Sequence, residues 1–309
     1  MDRISLDALL DSYERIRGVS QSTMTSMRSV IRVLQRDIGI SWLHEVSDEN
    51  ISSWRNEILR RSSAVTWNTY RRTLVVLLNH ARNSGVPAPE LHVRSIRIGK
   101  MLPKDLSQQQ IADTINWLGS PGCTISHGWF WQTLLTTLYT TGIRRRQVCA
   151  LRWRDVDLMR QILRLSIEGS KTRREWTITL HDLTTQRLRE LHVRSVAMGA
   201  GTPTRQVFNV NLFRGRAGEM TINQLDLFWK RLHQLHPQTP RLSAHKFRHT
   251  FATAQARTGL LRELQEVLGH ANLNTTLRYV HPNVESMRAF TNRLDVALIS
   301  RQLTDAQSD

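Results

Sequence analysis

The first third of the chain carries its apolar residues at helical intervals. Over 20–37 (SQSTMTSMRSVIRVLQRD), Met24, Met27, Val30, Ile31 and Leu34 fall on one side of a helix that starts behind Ser/Thr caps. A second helix is expected over 47–61, where SDENISSWRNEILRR opens with a Ser/Asp cap and acids in its first turn. A third runs from about Thr66 to Arg82, with Leu74, Leu77, Leu78 and Ala81 on its apolar side. It ends at NSGVPAP (83–89), where Gly85, Pro87 and Pro89 break it. With three or four helices and no alternating pattern, this part reads as an all-α module. A basic connector follows, roughly Leu91–Pro103, carrying Arg94, Arg97 and Lys100, with Lys104 just beyond it.

The second part is mixed. Helical patterns occupy 107–118, 127–141, 145–151, 182–197 and 222–234. Between them QILRLSI (161–167) and EWTITL (175–180) alternate as strands do, joined by EGSKTRR, which predicts a hairpin with Lys171 near its tip. After Pro240 the pattern is helical to the end, and the last helix, 284–298, keeps Val284, Met287, Phe290, Leu294 and Leu298 apolar. Trp129, Trp131 and Trp153 have the character of core residues, and Trp176 is expected to pack on its strand.

Length sharpens this into two domains of ordinary size, each able to bury a core: residues 1–97, a linker 98–104, and 105–309. No apolar run is long enough to cross a bilayer, and the N-terminus lacks a signal-peptide core. Cys123 and Cys149 make neither a disulfide framework nor a zinc pattern. The expected compartment is therefore the cytoplasm. The net charge of +17 changes the picture most. It is spread over both parts, the footprint of a folded surface that meets a polyanion, most often nucleic acid. A basic surface kept for solubility is the plain alternative. Lysine is rare: only Lys100, Lys104, Lys171, Lys230 and Lys246 occur. Each is notable, because lysine can give up a proton near neutral pH and arginine cannot.

Three segments carry candidate chemistry. In SAHKFRHTFAT (243–253), capped by Ser243, His245, Arg248, His249 and Ala252 share one helical face. That face is a poor core stripe and a good anion site. The His245/His249 spacing also suits a zinc pair, but KFR sets cations beside it and no Glu base follows. In TTLYTTGIRRRQVCALRWRDVD (136–157), Gly142 breaks a helix just before Arg144, Arg145 and Arg146, a place from which arginine can reach into a cleft. A solvated basic patch is the alternative. In LGHANLNTTLRYVH (268–281) a lone Tyr279 follows His270 by nine residues. A free phenol with pKa about 10 is ionised to about one part in a thousand near neutral pH, so such a tyrosine reacts only with cations and proton handlers around it.

Taken in order, TTGIR, GSKTR, SAHKFRHTFAT and LGHANLNTTLRYVH resemble the tyrosine recombinase (phage integrase) family, with the nearest likeness to its Xer-like and simple integrase members. The resemblance covers about 103–295, and more weakly the helical module before it. It implies a mainly α fold with a small β-sheet or hairpin: an all-α SAM-like core-binding domain and a mixed α/β catalytic domain forming a C-shaped clamp on DNA. It implies that Arg144 and Arg248 clamp the scissile phosphate and that Lys171 protonates the leaving 5′-hydroxyl. His245 would assist proton transfer, His270 would bind or orient the phosphate, and Tyr279 would be the nucleophile, leaving a 3′-phosphotyrosine. His249 and Gln147 would support the site. No cofactor, ATP or metal is implied. The expected partners are duplex recombination sites and further copies of the chain in a tetramer, joined through 284–298, with accessory DNA-bending or directionality proteins and no membrane. The resemblance also implies a bacterial, nucleoid-associated cytoplasmic protein. Arg60, Arg61, Arg71, Arg72, Arg94, Arg97, Lys100, Arg145 and Arg173 are the DNA-binding candidates. One position departs from the family pattern: Gln147 stands where an acidic residue is usual, three after Arg144. Relaxation of the type IB topoisomerase kind, or DNA binding without catalysis, are the alternative functions.

Overall fold

The computed structural model describes residues 4–99, 106–166, 175–237 and 241–280, and the chain divides into two compact units, Met1–Leu102 and Pro103–Asp309.

The first unit is helical. Its helices are α1 (Leu6–Arg17), α2 (Gln21–Ile38), α3 (Asp48–Arg61) and α4 (Ala64–Asn83), with a 3₁₀ turn at Leu43–Glu45. Each helix starts the same way. The hydroxyls of Ser5, Ser20, Ser47 and Ser63 accept the backbone N–H groups of Ala8, Thr23, Asn50 and Thr66. Such a cap satisfies one of the N–H groups a helix start leaves without a partner, and contributes about 1 kcal/mol. The apolar faces meet in one core, with Leu10, Met24, Ile31, Leu34, Ile51, Trp54 and Trp67 fully buried. Trp54 packs edge-to-face on Trp67 with centroids 6.0 Å apart and stacks on Tyr70 at 5.5 Å. Its indole N–H donates to Asp37 at 3.0 Å, and Asp37 also accepts from Arg36 and Arg61. Burial opposes ionisation of the Asp37 carboxyl, but the bonds from Arg61, Trp54 and Arg36 outweigh it and hold the group below the usual carboxylate range.

The expected connector from Leu91 is shorter than its composition suggests. Val93 is buried in the first core, and Asn68 exchanges two hydrogen bonds with Ile96 at 2.8 and 2.9 Å. Asp48 accepts the backbone N–H groups of His92 and Val93. Pairing of side chains with an irregular backbone holds this stretch on α3 and α4, something no periodicity reveals. Lys100 lies outside the described residues.

The second unit opens with α5 (Gln108–Leu118), α6 (Gly128–Thr141) and α7 (Arg145–Ala150). A 3₁₀ turn at Trp153–Asp155 leads to β1 (Val156–Asp157), β2 (Ile162–Leu165) and β3 (Trp176–Thr179), an antiparallel sheet in the order β1-β2-β3. Leu165 pairs with Trp176 in the β2–β3 ladder. Then come α8 (Asp182–Ala197), α9 (Val210–Phe213), α10 (Ile222–Leu235), α11 (Ala244–Ala256), α12 (Leu261–Leu268) and α13 (Leu273–Thr276), before a 3₁₀ turn at Leu277–Tyr279. The sequence pattern places α5 to α8 and α10 and the β2–β3 pair within a residue or two and gives the helical run after Pro240, but misses β1 and the short α9.

Helix α6 packs on α5, α8 and α11 and is buried through most of its circumference, from Phe130 and Trp131 to Thr141. Its threonines tolerate this because their hydroxyls bond inside the helix. Thr133, Thr136 and Thr137 donate to the carbonyls of Trp129, Gln132 and Thr133 at 3.0, 2.8 and 2.9 Å. Trp131 and Trp153 are core residues, as expected. Trp129 is only partly covered, and Arg194 lies over its ring at 4.3 Å. The hairpin tip with Lys171 and Arg173, and the expected helix 284–298, lie outside the described residues.

Candidate active site

The site is assembled where α6 ends. Gly142 closes that helix at φ 62°, a left-handed conformation that glycine adopts without a Cβ penalty. A Cβ there would also stand 2.4 Å from the Phe251 ring of α11. The missing side chain therefore lets the α6 terminus and α11 approach, and two residues later the chain delivers Arg144.

Arg248, on the buried side of α11, joins three chain segments. One terminal nitrogen donates to the Gly142 carbonyl at 2.8 Å. The other donates to the Leu268 carbonyl at 2.8 Å and to His270 Nε2 at 2.9 Å. Because arginine can only donate, His270 Nε2 is an acceptor and the ring proton sits on Nδ1. There it donates to Thr276 Oγ1 at 2.9 Å. The buried Gln265 amide donates to the His270 carbonyl at 2.9 Å. His270 is thus held at both ring nitrogens and at its backbone.

Arg144 stands beside this network. Its Nη1 is buried and has no hydrogen-bond partner, and among the described residues no carboxylate pairs with Arg144 or Arg248. Burial, followed by the charge of Arg144, pushes the Arg248 guanidinium down to about 10, against support from Tyr279. Burial likewise lowers Arg144, and Tyr279 again opposes the shift. His270 is driven down to about 4 by burial and then by Arg248, Arg144 and Arg278, so it is neutral near pH 7. His245 is lowered by desolvation, with His249 and Arg248 adding. Two covered guanidinium groups with no carboxylate partner among the described residues, one with a donor nitrogen unused, leave hydrogen-bonding capacity that suits an oxyanion.

Gln147 explains part of its departure from the family pattern. Its Oε1 accepts the Arg144 backbone N–H at 2.7 Å. An amide oxygen performs that capping role without charge, leaving the positive field of the pocket intact. Its own Nε2 is buried without a partner.

Tyr279 closes the arrangement. Its ring packs edge-on to His249 with centroids 5.0 Å apart, and lies parallel to His270 at 6.2 Å. The body of the ring rests on the small core of Phe251, Ala252, Ala256, Leu264 and Leu268. The 3₁₀ turn in which Tyr279 lies follows directly on Thr276, the residue that fixes His270.

Among the candidates, Arg144, His245, Arg248, His249, His270 and Tyr279 come together, with Gln147 beneath them. Lys171 and Arg173 lie outside the described residues. Of the DNA-binding candidates, Arg61 is bound to Asp37, Arg71 donates to the Val93 carbonyl, and Arg145 pairs with Asp226 at 3.0 Å. Arg60 meets Glu57 at 3.4 Å while staying open to solvent, and Arg72, Arg94 and Arg97 are exposed. Sequence reasoning misses Gln265 and the precise use of Thr276. Neither spacing nor composition marks a residue whose partner is a histidine backbone or ring.

Comparison with known proteins matches residues 109–286 to the phage integrase family model. A Pseudomonas syringae protein provisionally named tyrosine recombinase XerC is 28% identical over 94% of this chain, and the chain spans 64% of that relative's length. The Tn1549 transposon integrase bound to transposon right end DNA shares the fold, with TM-score 0.74 and 19% identity over 94% of this chain and 99% of that one. A lambda integrase tetramer bound to a Holliday junction has TM-score 0.68 and 19% identity, over 91% of this chain and 78% of its own.

Proposed function

The chain belongs to the phage integrase family, and from that premise we propose that it is a site-specific tyrosine recombinase that cuts and rejoins duplex DNA through a 3′-phosphotyrosine. The observation that carries the reading is the meeting of one tyrosine with two guanidinium groups that pair with no carboxylate among the described residues: Tyr279 supports the charged forms of both Arg144 and Arg248.

In the proposed reaction the scissile phosphate lies against Arg144 and Arg248, which neutralise charge building on its non-bridging oxygens. The Tyr279 oxygen forms a bond to phosphorus, and its proton passes to His245, which is neutral at pH 7 and free to accept it. The bond from phosphorus to the 5′ oxygen breaks, its electron pair stays on that oxygen, and Lys171 supplies the proton that makes the 5′-hydroxyl. His270, with Nε2 already accepting from Arg248, orients the arginine. A 5′-hydroxyl of a second duplex then attacks the phosphotyrosine and the protons return. One phosphodiester is exchanged for another, so no external energy source enters the balance. A tetramer on a junction, the assembly seen for the lambda integrase neighbour, brings the second duplex within reach, and accessory proteins that bend DNA or set direction fit the same scheme.

A suicide substrate, nicked so that the short strand diffuses away after cleavage, tests this. The wild-type protein is expected to accumulate a covalent adduct with its cognate site, and Tyr279→Phe to form none. An adduct that persists in Tyr279→Phe would overturn the assignment.

A further inference from the structure

The reaction leaves Trp176 without a role. It is the first residue of β3 and pairs with Leu165, and its ring packs partly covered against the main core of its unit. Packing alone does not account for it. The indole N–H donates to the Val267 carbonyl at 3.2 Å, in the last turn of α12, where carbonyls lack intrahelical partners. The six-membered ring also fills the place of a side chain at Gly269, where a Cβ would stand 2.5 Å from Cζ2. Gly269 is the left-handed cap of α12, at φ 60°, and hands the chain directly to His270. One side chain thus binds the start of β3 to the turn that carries His270, through a directional bond and a close fit. In sequence, β3 follows five residues after Lys171.

We infer that Trp176 is a positioning residue, which fixes the start of β3 against the Gly269–His270 turn, and that proton delivery to the leaving oxygen depends on this tie. This rests on the function proposed above, in which Lys171 protonates the leaving 5′ oxygen. An aliphatic residue at 176 would keep apolar contact but lose the bond to Val267. Phenylalanine would keep a ring while losing the same bond. Alanine at Gly269 attacks the contact from the other side, displacing the indole without altering it.

The test is single-turnover adduct formation on two suicide substrates, one with the natural bridging 5′ oxygen and one with sulfur in its place. A thiolate leaves without being protonated, so a defect in proton delivery vanishes on the sulfur substrate. Trp176→Leu and Gly269→Ala are expected to slow cleavage of the oxygen substrate by about ten- to a hundred-fold, and to cleave the sulfur substrate at close to the wild-type rate. Trp176→Phe should fall between. Melting curves and DNA affinity, measured in parallel, should stay near wild type for Trp176→Phe, which keeps the test valid should the leucine variant fold poorly. Equal slowing on both substrates, or none on the oxygen substrate, overturns the inference. Lys171→Ala serves as the reference. If it shows no oxygen-specific defect, the proposed proton donor fails and this inference with it. If it shows one and the Trp176 and Gly269 variants do not, only the inference fails.

Discussion

At the scale of single residues, the site depends on groups held by more partners than their chemistry requires. Arg248→Ala removes a buried donor to two carbonyls and one histidine and, under the proposed function, a phosphate ligand. It is expected to lower the rate of adduct formation by at least about a hundred-fold, and to lower the melting temperature too, since two buried carbonyls lose their donor. Thr276→Val removes only the acceptor for His270 Nδ1. Its expected cost is about 1–3 kcal/mol of stability, the penalty of a buried donor left without a partner, read as a lower urea midpoint. The pH dependence follows from His270 itself. Its folded value of about 4 lies below the ordinary histidine value of 6.5, so between those values the unfolded chain binds a proton that the folded chain does not. Stability of the second unit therefore falls as pH is lowered from about 6.5 towards about 4, and this group has no effect above that window. Urea midpoints at pH 7 and pH 5 should differ in that direction, and the difference should shrink in His270→Gln.

At the scale of elements, glycines decide which helices can meet. Gly142→Ala places a methyl group in the Phe251 ring and asks a non-glycine residue to hold φ 62°. The expected cost is about 1–3 kcal/mol, visible as a lowered melting temperature, with slower cleavage because the Gly142 carbonyl is one of the Arg248 anchors. The sequence shows Gly142 as a helix break, since glycine punctuation is local. It does not show Phe251, more than a hundred residues on, as the reason no other residue fits. The same limit recurs elsewhere. Helix positions were legible because apolar spacing and serine caps are written within a few residues of each other. Arg144, Arg248 and Tyr279 were legible because their residue types make poor core. The anchoring of Leu91–Ile96 by Asp48 and Asn68 was not, nor was β1, two residues long, nor the tie between Trp176 and Val267. Each depends on a partner that only folding brings near.

At the scale of the whole molecule, the charge of +17 sorts into arginines with inward duties and arginines with none. Arg61 holds Asp37, whereas Arg72 and Arg97 are exposed. Under the proposed function, Arg72→Ala and Arg97→Ala should each reduce the slope of log binding constant against log salt by about one if they contact phosphates, with little change in melting temperature. Arg61→Ala should do the reverse. Titrating cognate duplex at several salt concentrations, alongside melting curves, separates the two behaviours. The anchoring of Arg248 has a consequence at this scale as well. Its three anchors lie at Gly142, Leu268 and His270, over a hundred residues apart at their extremes. A ribosome-bound chain still lacking α12 keeps only the Gly142 carbonyl to hold that guanidinium. Under the proposed function, the cation that holds the phosphate is therefore fixed in place only once α12 and the turn after it have formed.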